Sequence, residues 1–525
     1  MESFRRKNWF VMLLLASFLA LAGCEGDDGA AGAAGADGAA GADGADGMDG
    51  ADGADGADGA DGGSSSVSVA VDVTTTQAND LRGLTFAQVA PHANKMYVSG
   101  HVGTTDATRQ VVVGRFFADG TVDTSFAGDG FLELTATPAT TGSGDENALG
   151  VAELQGGDVI VVARATDADS GESVYLFRVD ADGVPVVGWG DADGKVEVVF
   201  GIANADNATF PGAAGGAAPE DLAWDVITDH SVMTDRVVVF GIGTAGDTVR
   251  TDRDRYIARL DITATGADAD PTFNGGSAYS FAGTGSLTDN ARRGMVGADG
   301  TIVSSGYTDP GGDTEHVVLI KLDATGALDA TFGGFSESAA IVAPTPGIAV
   351  FNPFLVDGGF AESYAVGVQS TGSIVTVGFG GVTAVGTDST LGYESRIQQD
   401  VVAFRVVGGT ATEEDLTFGN GGHQAIQSEG RGFPTNEDRG RHMVILPDDR
   451  TVIAGRFGGV PAAFVLTAQG VPDTRVFGDG VIELGHDTVT SQFFGMALSP
   501  DGTRVAMTTN SNDNGARLVV LKAGQ

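Results

Sequence analysis

The sequence is poor in cysteine and in basic residues. Cys24 is the single cysteine of a chain of 525 residues, so a disulfide within the chain and a cysteine-based metal site are both excluded. Lysine and arginine together number 29, against 70 aspartates and glutamates, which gives a formal net charge of −41. A field of this sign repels phosphate backbones, and nucleic acid is therefore not an expected partner.

The sequence also lacks the short motifs of common catalytic sites. It contains neither a Gly-x-Ser-x-Gly nucleophile elbow nor a His-Glu-x-x-His zinc motif. Its seven histidines are scattered, and no two of them have metal-ligand spacing. These absences favour a protein that is not an enzyme, while a catalytic site assembled from distant parts of the chain stays open.

The first residues have the layout of an export signal. Arg5, Arg6 and Lys7 give a positive start, and an apolar run over residues 9–22 follows. This run is short for a bilayer span, which takes roughly 20 residues. The pattern predicts a secretory signal peptide over residues 1–23.

Leu-Ala-Gly-Cys at residues 21–24 resembles the lipobox of bacterial lipoproteins. The resemblance implies cleavage before Cys24 and attachment of lipid to that cysteine, so that the partner is a membrane and the location the bacterial cell envelope. Glu25 follows, where an aspartate is associated with inner-membrane retention in some bacteria, and the outer membrane or cell surface is the expected address. The alternative is an ordinary signal peptide followed by a chance cysteine.

Residues 24–66 are predicted to be a linker with a collagen-like period. Glycine occupies every third position over residues 26–62, as in bacterial collagen-like proteins, because only glycine fits at the axis of three chains. The same segment has ten aspartates but no proline, lysine or arginine. Carboxylate repulsion would oppose a triple helix unless salt or a divalent ion screens it. A flexible spacer and a homotrimeric stalk both stay open.

Residues 67–525 repeat a β-rich unit of roughly 60 residues. Each unit ends in two strands that are joined by a connection with a Thr-Phe-Gly-like turn. A second hairpin, such as the one through Asp299-Gly300, precedes these two strands. Aspartate-glycine between apolar runs is a strong hairpin signal. The aromatic marks of successive units are Phe126, Trp189, Phe273, Phe332, Phe418 and Phe477. Two hairpins per unit predict four-stranded blades of a β-propeller.

The number of units predicts how the ring closes. Six complete units are followed by a seventh that ends after its third strand, and the alternating residues 67–73 precede the first unit. This segment would supply the missing strand and protect an open sheet edge, unless it is a loose N-terminal strand. The predicted fold class is therefore all-β, a seven-bladed β-propeller of four-stranded blades, preceded by a signal peptide and a low-complexity collagen-like segment.

The repeat has a family resemblance. Leu-Asp-Ala-Thr-Phe-Gly at residues 328–333 and Val-Asp-Thr-Ser-Phe at residues 122–126 are similar to the delta-60 repeat family of bacterial exported proteins. The similarity covers most of residues 84–525. It implies a repeated β architecture and no single activity.

Acidic turns are the candidate metal sites, and calcium is the one cofactor considered, since alternate carboxylates can supply some of its oxygen ligands. The alternative is ordinary turn chemistry, in which aspartate binds the nearby backbone. The candidates are the Asp-x-Asp pairs Asp167 and Asp169, Asp180 and Asp182, Asp191 and Asp193, and Asp268 and Asp270.

The long connections are the candidate ligand-binding segments. Residues 334–361 contain Phe351, Phe354 and Phe360. Exposed aromatic side chains in a long loop form a binding surface, and the alternative is that they pack over a blade edge.

Three functions are compatible with these patterns. The leading hypothesis is a surface module that is not an enzyme and recognises an extracellular protein, glycan or matrix component through the propeller. The alternatives are a hydrolase or lyase with a dispersed site in the channel, and a structural component of the envelope. Histidine, arginine and carboxylates converging at one mouth of the channel would favour an enzyme, an apolar channel would favour binding, and a trimeric stalk would favour a structural role.

Overall fold

The protein is described by a computed structural model. The described residues are 67–105, 108–136, 142–167, 171–191, 194–200, 221–244, 253–283, 288–310, 314–339, 342–354, 359–381, 399–408, 414–428, 438–484, 491–510 and 515–523. They all lie within a single compact unit. None of them belongs to a helix long and apolar enough to cross a bilayer.

The described residues form seven sheets in chain order, which are the blades of a propeller. Their strands pair antiparallel, apart from one short parallel pair in the fourth blade. The first strand of each blade is hydrogen-bonded to the second, and so on outward. Blade 1 contains β2 (Asp80–Phe86), β3 (Met96–Val102), β4 (Gln110–Phe116) and β5 (Phe131–Leu134). Blade 2 contains β6 (Gly142–Glu153), β7 (Val159–Asp167), β8 (Gly171–Val179) and β9 (Lys195–Val198).

The third and fourth blades each carry one additional short strand. Blade 3 contains β10 (Leu222–Thr228), β11 (Arg236–Thr244), β12 (Arg253–Ile262), β13 (Ala267–Ala269) and β14 (Tyr279–Phe281), the last two both pairing with β12. Blade 4 contains β15 (Thr288–Val296), β16 (Ile302–Asp309), β17 (His316–Leu322), β18 (Phe335–Ser336) and β19 (Ile348–Phe351). Insertions in the repeat thus change the outer part of a blade and leave its inner three strands intact.

The last three blades complete the ring. Blade 5 contains β20 (Phe360–Val368), β21 (Ile374–Gly381), β22 (Asp400–Val406) and β23 (His423–Ile426). Blade 6 contains β24 (Arg439–Ile445), β25 (Thr451–Phe457), β26 (Val460–Leu466) and β27 (Val481–Glu483). Blade 7 contains β28 (Phe493–Leu498), β29 (Arg504–Thr509), β30 (Ala516–Ala523) and the N-terminal β1 (Val67–Thr75).

The N-terminal strand closes the propeller. β1 pairs antiparallel with β30 from Val67 opposite Ala523 to Thr75 opposite Ala516. Val67 is buried in the same apolar cluster as Leu446 and Val452 of blade 6. The predicted seven-bladed ring and its closure by the N-terminal strand are therefore confirmed.

The blades have apolar faces on both sides because each is packed between two others. In β7, Val159 and Val161 pack toward blade 1, whereas Ile160 and Val162 pack toward blade 3. This burial explains why the strand is a continuous apolar run and not an alternating one. Each fully buried aliphatic side chain of this kind stabilises the fold by about 1.5–3 kcal/mol.

The repeated Thr-Phe-Gly turn fastens neighbouring blades. In blade 1, Arg115 donates hydrogen bonds to Asp123 (2.6 Å) and to the carbonyl of Ala181 in blade 2, and its guanidinium lies 5.0 Å from the ring centre of Phe126. Arg259 repeats this arrangement from blade 3 to blade 4, with Nη1 2.8 Å from the carbonyl of Ala324. The motif that identifies the repeat is thus a structural link between blades.

The sixth aromatic mark, Phe477, differs from the other five in its burial. Phe126, Trp189, Phe273, Phe332 and Phe418 are all buried, whereas Phe477 is 70% exposed. Val476 occupies the buried position in its place, because the turn of blade 6 has one more residue before its glycine than the turn of blade 4.

The predicted hairpins form, and the turns have a left-handed residue only at their glycine. Gly300, Gly372 and Gly502 adopt positive φ values of 80°, 82° and 70°. The residues before them do not, so these turns need only one left-handed position, which glycine occupies without strain.

Candidate functional site

The aspartates of the acidic turns accept hydrogen bonds from nearby groups of the chain. Asp180 Oδ1 accepts hydrogen bonds from the backbone N–H groups of Asp182 (3.0 Å) and Val184 (2.8 Å). Asp270 is occupied on both oxygens, with Arg259 Nε 2.7 Å from Oδ2 and the Thr272 hydroxyl 2.7 Å from Oδ1. These carboxylates are engaged by the chain itself, as the alternative of ordinary turn chemistry requires.

The other calcium candidates do not assemble into a site within the described part of the chain. Asp191 lies 3.7 Å from the Lys195 ammonium, and Asp268 lies in β13 opposite Asp261. Asp169, Asp193 and Cys24 lie outside the described residues, as does the side chain of Asp167. No group of three or more histidine, cysteine, aspartate or glutamate side chains is gathered for a metal ion among the residues described. Calcium binding stays a prediction.

The aromatic residues of the 334–361 connection pack against the blades. Phe351 ends β19 and is fully buried, and Phe354 is 2% exposed beside His423 of blade 5. Phe360 begins β20, is partly buried, and lies against Phe379 with ring centres 6.0 Å apart. Phe351 and Phe354 thus follow the second alternative, packing over the blades, because the connection forms a strand of blade 4 and covers an apolar cluster.

The first strand of every blade has a β-bulge within it. The register against the second strand shifts there, so one or two residues are left without a partner, and β6 has a further shift between Gly142 and Glu146. A bulge of this kind bends the strand and redirects a side chain. In blade order the unpaired residues are Arg82, Leu149, Trp224, Arg292 with Arg293, Tyr364, Arg441 and Phe494. We name these eight residues the girdle.

Glycine at the bulge allows the first strands to approach one another. A Cβ atom on Gly83 would lie 2.8 Å from the backbone of Gly150 in blade 2, and one on Gly495 would lie 2.8 Å from the backbone carbonyl oxygen of Arg82 in blade 1. Consecutive first strands are therefore in close contact around the ring, and the girdle lies at the centre of the propeller.

The girdle side chains alternate cations with aromatic rings. Measured from guanidinium carbon to ring centre, the contacts run from blade 3 round to blade 1. They are Arg292 with Trp224 (4.2 Å) and with Tyr364 (4.6 Å), Arg441 with Tyr364 (4.5 Å) and with Phe494 (5.7 Å), and Arg82 with Phe494 (4.5 Å). Each such contact contributes about 0.5–2 kcal/mol, depending on its desolvation. Leu149 of blade 2 is the girdle residue with neither charge nor ring.

Arg293 crosses the centre of the ring. Its Nη2 donates a hydrogen bond of 2.9 Å to the carbonyl of Phe494, three blades away, and its Nη1 lies 3.5 Å from Asp225. Burial lowers the pKa of Arg293, the guanidinium groups of Arg82, Arg292 and Arg441 lower it further, and Asp225 acts the other way. Four positive charges from blades 1, 4 and 6 therefore converge within electrostatic range.

Besides Asp80, which forms an ion pair with Arg82 at 2.6 Å, two carboxyl groups accompany these cations. Burial raises the pKa of Asp225 to about 6 against the opposing charge of Arg293. Burial also raises the pKa of Glu362, although Arg292, Arg441 and a hydrogen bond from the Tyr364 hydroxyl (2.9 Å) favour its ionised form. Neither carboxyl is within ion-pair distance of Arg292 or Arg441 in the described part of the chain.

His442 follows the bulge of blade 6, where other blades mostly have glycine or alanine. Burial, and then the charge of Arg293, lower the pKa of His442 well below its usual value. Its Nδ1 is 2.8 Å from the backbone N–H of Met443. The imidazole therefore favours its neutral form.

Sequence reasoning missed the girdle, although a signal for it exists. Its residues vary in type from blade to blade, so no motif marks them. In five of the seven blades they precede a small residue within the first strand, namely Gly83, Gly150, Gly294, Ala365 and Gly495. An alignment of the repeats on their first strands, instead of on the Thr-Phe-Gly turn, would bring these variable large residues into one column.

Comparison with known proteins identifies no family. No family model matches the sequence, and no curated protein matches it. Among solved structures, a protein of unknown function from Dyadobacter fermentans DSM 18053 is similar with a TM-score of 0.43 and 9% identity, over 87% of this chain and 99% of that one. A chain of the mitotic checkpoint complex is similar with a TM-score of 0.41 and 13% identity, over 90% and 97%. Likeness this distant carries no functional argument, and the propeller assignment rests on the strand order.

Proposed function

We propose that this protein is an envelope-anchored binding module that captures an anionic ligand at the girdle of its propeller. The observation that carries the proposal is the convergence of Arg82, Arg292, Arg293 and Arg441 in a chain with a formal net charge of −41. Basic residues are scarce in this chain, and four of them meet at one point. Three carboxyl groups lie close to this cluster: Asp80 pairs with Arg82, and burial raises the pKa of Asp225 and of Glu362. A cluster so enriched in cations is matched to a negative charge that the chain itself does not supply.

The arrangement of charge favours a small anion over a polyanion. Low-dielectric walls focus the field of a charged cleft and raise the local concentration of an oppositely charged ligand. The acidic exterior, in contrast, repels long acidic polymers. Arginine is also suited to anion recognition and not to proton transfer, because it stays protonated and presents several fixed N–H donors.

The anchoring part of the proposal rests on the sequence. Residues 1–23 as a signal peptide, Cys24 as the lipid attachment point and residues 24–66 as a collagen-like spacer or stalk would hold the propeller at the outer membrane or cell surface. The ligand would then be an extracellular glycan, protein or matrix component. The similarity to delta-60 repeats of exported bacterial proteins supports the same location.

The binding proposal is tested by titration calorimetry of the full-length protein against acetate, galacturonate, inorganic phosphate, inorganic sulfate and neutral glucose. We expect at least one anion to bind, with an affinity that falls as salt rises, and glucose not to bind. The double variant Arg293→Gln with Arg441→Gln should lose that binding, whereas Arg475→Gln, whose side chain is half exposed and paired with Asp473, should keep it. Absence of binding by every anion would refute the proposal.

The anchoring proposal has a separate test. In a bacterial host that processes lipoproteins, the wild-type protein should partition with membranes and incorporate labelled fatty acid. Cys24→Ser should abolish the label and release the protein into the soluble fraction. A label that persists in the variant, or a wild-type protein that never acquires it, would overturn lipidation.

An enzyme is the second candidate, and one observation favours it. His442, Asp225 and Glu362 accompany the arginines at the centre of the ring, which is the convergence of histidine, arginine and carboxylates expected of a channel enzyme. The test incubates the protein with acidic and neutral glycans and measures new reducing ends and unsaturated products. Turnover that is lost in His442→Gln would move this candidate ahead of binding alone.

A further inference from the structure

Arg292 differs from the other arginines of the girdle in that two of its nitrogen atoms are buried without an acceptor among the described residues. It is 8% exposed, and among the described residues no carboxylate lies within ion-pair distance of it. Its guanidinium is stacked between the rings of Trp224, Tyr307 and Tyr364, at 4.2, 5.1 and 4.6 Å. Glu362 attracts it only from beyond ion-pair distance, and a buried cation without a paired anion is costly unless several acceptors compensate it.

The hydrogen bonds of Arg292 leave most of its donors unused. A guanidinium has five N–H donors. Nη2 donates to the hydroxyls of Tyr307 (2.7 Å) and Tyr364 (3.3 Å). Nε and Nη1 are buried and have no acceptor within the described part of the chain, and the same holds for the indole Nε1 of Trp224. Buried donors are nearly always paired in folded proteins, so these atoms indicate an acceptor that the chain does not provide.

We infer that the stack of Trp224, Arg292, Tyr307 and Tyr364 binds the carboxylate of a small uronate sugar, an inference that rests on the proposed function and names its ligand class. A single guanidinium held by neutral hydroxyls matches one negative charge, as a carboxylate carries. The three unpaired N–H groups of Arg292 and the indole N–H of Trp224 would donate hydrogen bonds to the carboxylate and hydroxyl oxygens of the ligand. Trp224, Tyr364 and Phe494 are partly exposed, and such rings offer apolar faces to the C–H groups of a sugar ring.

The direct test uses the wild-type protein and ligands that differ in one group. Titration calorimetry of the full-length protein compares galacturonate with its methyl ester, with acetate, with inorganic phosphate and with a short peptide bearing a free C-terminal carboxylate. We expect galacturonate to bind most tightly, the methyl ester to lose about tenfold or more in affinity because it is neutral, and acetate to bind weakly because it has no ring.

Three variants then locate the site. Arg292→Lys keeps the charge but loses the planar set of donors, and it should weaken galacturonate binding by about tenfold. Trp224→Phe keeps a ring but loses the indole N–H, and a smaller loss of affinity is expected. Arg475→Gln, far from the girdle, should bind as the wild type does. Thermal unfolding of each variant shows whether it is folded, and the comparison of ligands on the wild-type protein needs no variant at all.

The outcomes separate this inference from the broader proposal. Equal binding of galacturonate and its methyl ester, or tighter binding of inorganic phosphate, would overturn the carboxylate assignment while leaving anion binding in place. Tighter binding of the peptide would overturn the sugar assignment. Galacturonate binding that Arg292→Lys and Trp224→Phe both leave unchanged would place the ligand elsewhere on the protein. If no anion of any kind binds, the proposed function fails together with this inference.

Discussion

At the scale of the residue, the same side chain serves two purposes in this protein. Arg115 is fully buried and fully engaged, by Asp123, by Ser125 and by a carbonyl of the next blade. Arg292 is almost as buried, yet most of its donors have no partner in the described part of the chain. The contrast distinguishes an arginine that links two blades from one whose buried N–H groups are unpaired, which is the basis of the proposed ligand site.

The blade-linking role of Arg115 predicts the effect of neutralising its partner. Asp123 is 1% exposed and accepts hydrogen bonds from both Arg115 (2.6 Å) and Lys95 (2.7 Å). Asp123→Asn would leave a buried guanidinium without a counter-charge, and we expect a loss of about 3–5 kcal/mol in the free energy of unfolding. Chemical denaturation measures it, with Asp119→Asn as the control. Asp119 is exposed and supports only a local turn, so a similar loss there would contradict the argument.

The cost of Asp123→Asn should depend on pH. Burial opposes ionisation of Asp123, but hydrogen bonds from Lys95, Ser125 and Arg115 hold its pKa well below the usual range. Its stabilising contribution is therefore complete above the ordinary aspartate pKa and is lost as the pH falls through the lower pKa of the folded state. The difference between wild type and variant should shrink in strong acid.

Glu414 predicts a pH effect of the opposite sign. Burial, and then the charge of Glu337, raise the pKa of Glu414 to about 8. Because the folded state favours the protonated form, stability is highest below the ordinary glutamate pKa and is lost as the pH rises toward 8. Glu414→Gln imitates the protonated form, so its melting temperature should equal that of the wild type near pH 5 and exceed it near pH 9. At pH 9 its free energy of unfolding should be larger than that of the wild type by on the order of 1 kcal/mol or more. Glu483→Gln, at an exposed position, should show no such difference.

At the scale of the element, the sequence predicted the strands better than their bulges. Apolar runs and Asp-Gly turns were enough to place two hairpins in each unit, because packing between two blades demands such runs. The bulges were not foreseen, since they depend on how closely seven first strands approach at the centre. Gly83 and Gly150 are far apart in sequence but in contact in the fold. Because they belong to different repeats, their contact cannot be predicted from the sequence of one repeat.

The closing strand predicts what its removal would do. β1 covers the outer edge of β30 along its length. Without residues 67–75, that edge would expose unpaired N–H and C=O groups, which are a template for pairing with another chain. A protein beginning at Ala78 should therefore melt at a lower temperature and self-associate, whereas one beginning at Val67 should be monomeric. Calorimetry and size-exclusion chromatography measure the two effects. Equal behaviour of both proteins would show that the strand is dispensable.

At the scale of the whole molecule, charge is separated. The chain as a whole is strongly acidic, while the centre of its ring gathers arginines from three blades. The sequence predicted the architecture and the net charge, because both are sums over many residues. It did not predict the site, because the girdle residues differ from blade to blade and only closure of the ring brings Arg82 near Arg293.

The N-terminal segment determines whether one girdle or three are presented together. Removal of residues 1–23 leaves a formal charge of −43, and residues 26–62 contribute ten of the carboxylates. Light scattering of the protein from Glu25 to Gln525, beside one from Val67 to Gln525, measures the outcome with and without calcium. If the segment is a stalk, the longer protein is trimeric, most readily in calcium or high salt, which screen its carboxylates, and the shorter one is monomeric. Three linked girdles would then bind a multivalent surface far more tightly than one, through effective concentration alone. Monomers under every condition would make the segment a spacer and the affinity that of a single girdle.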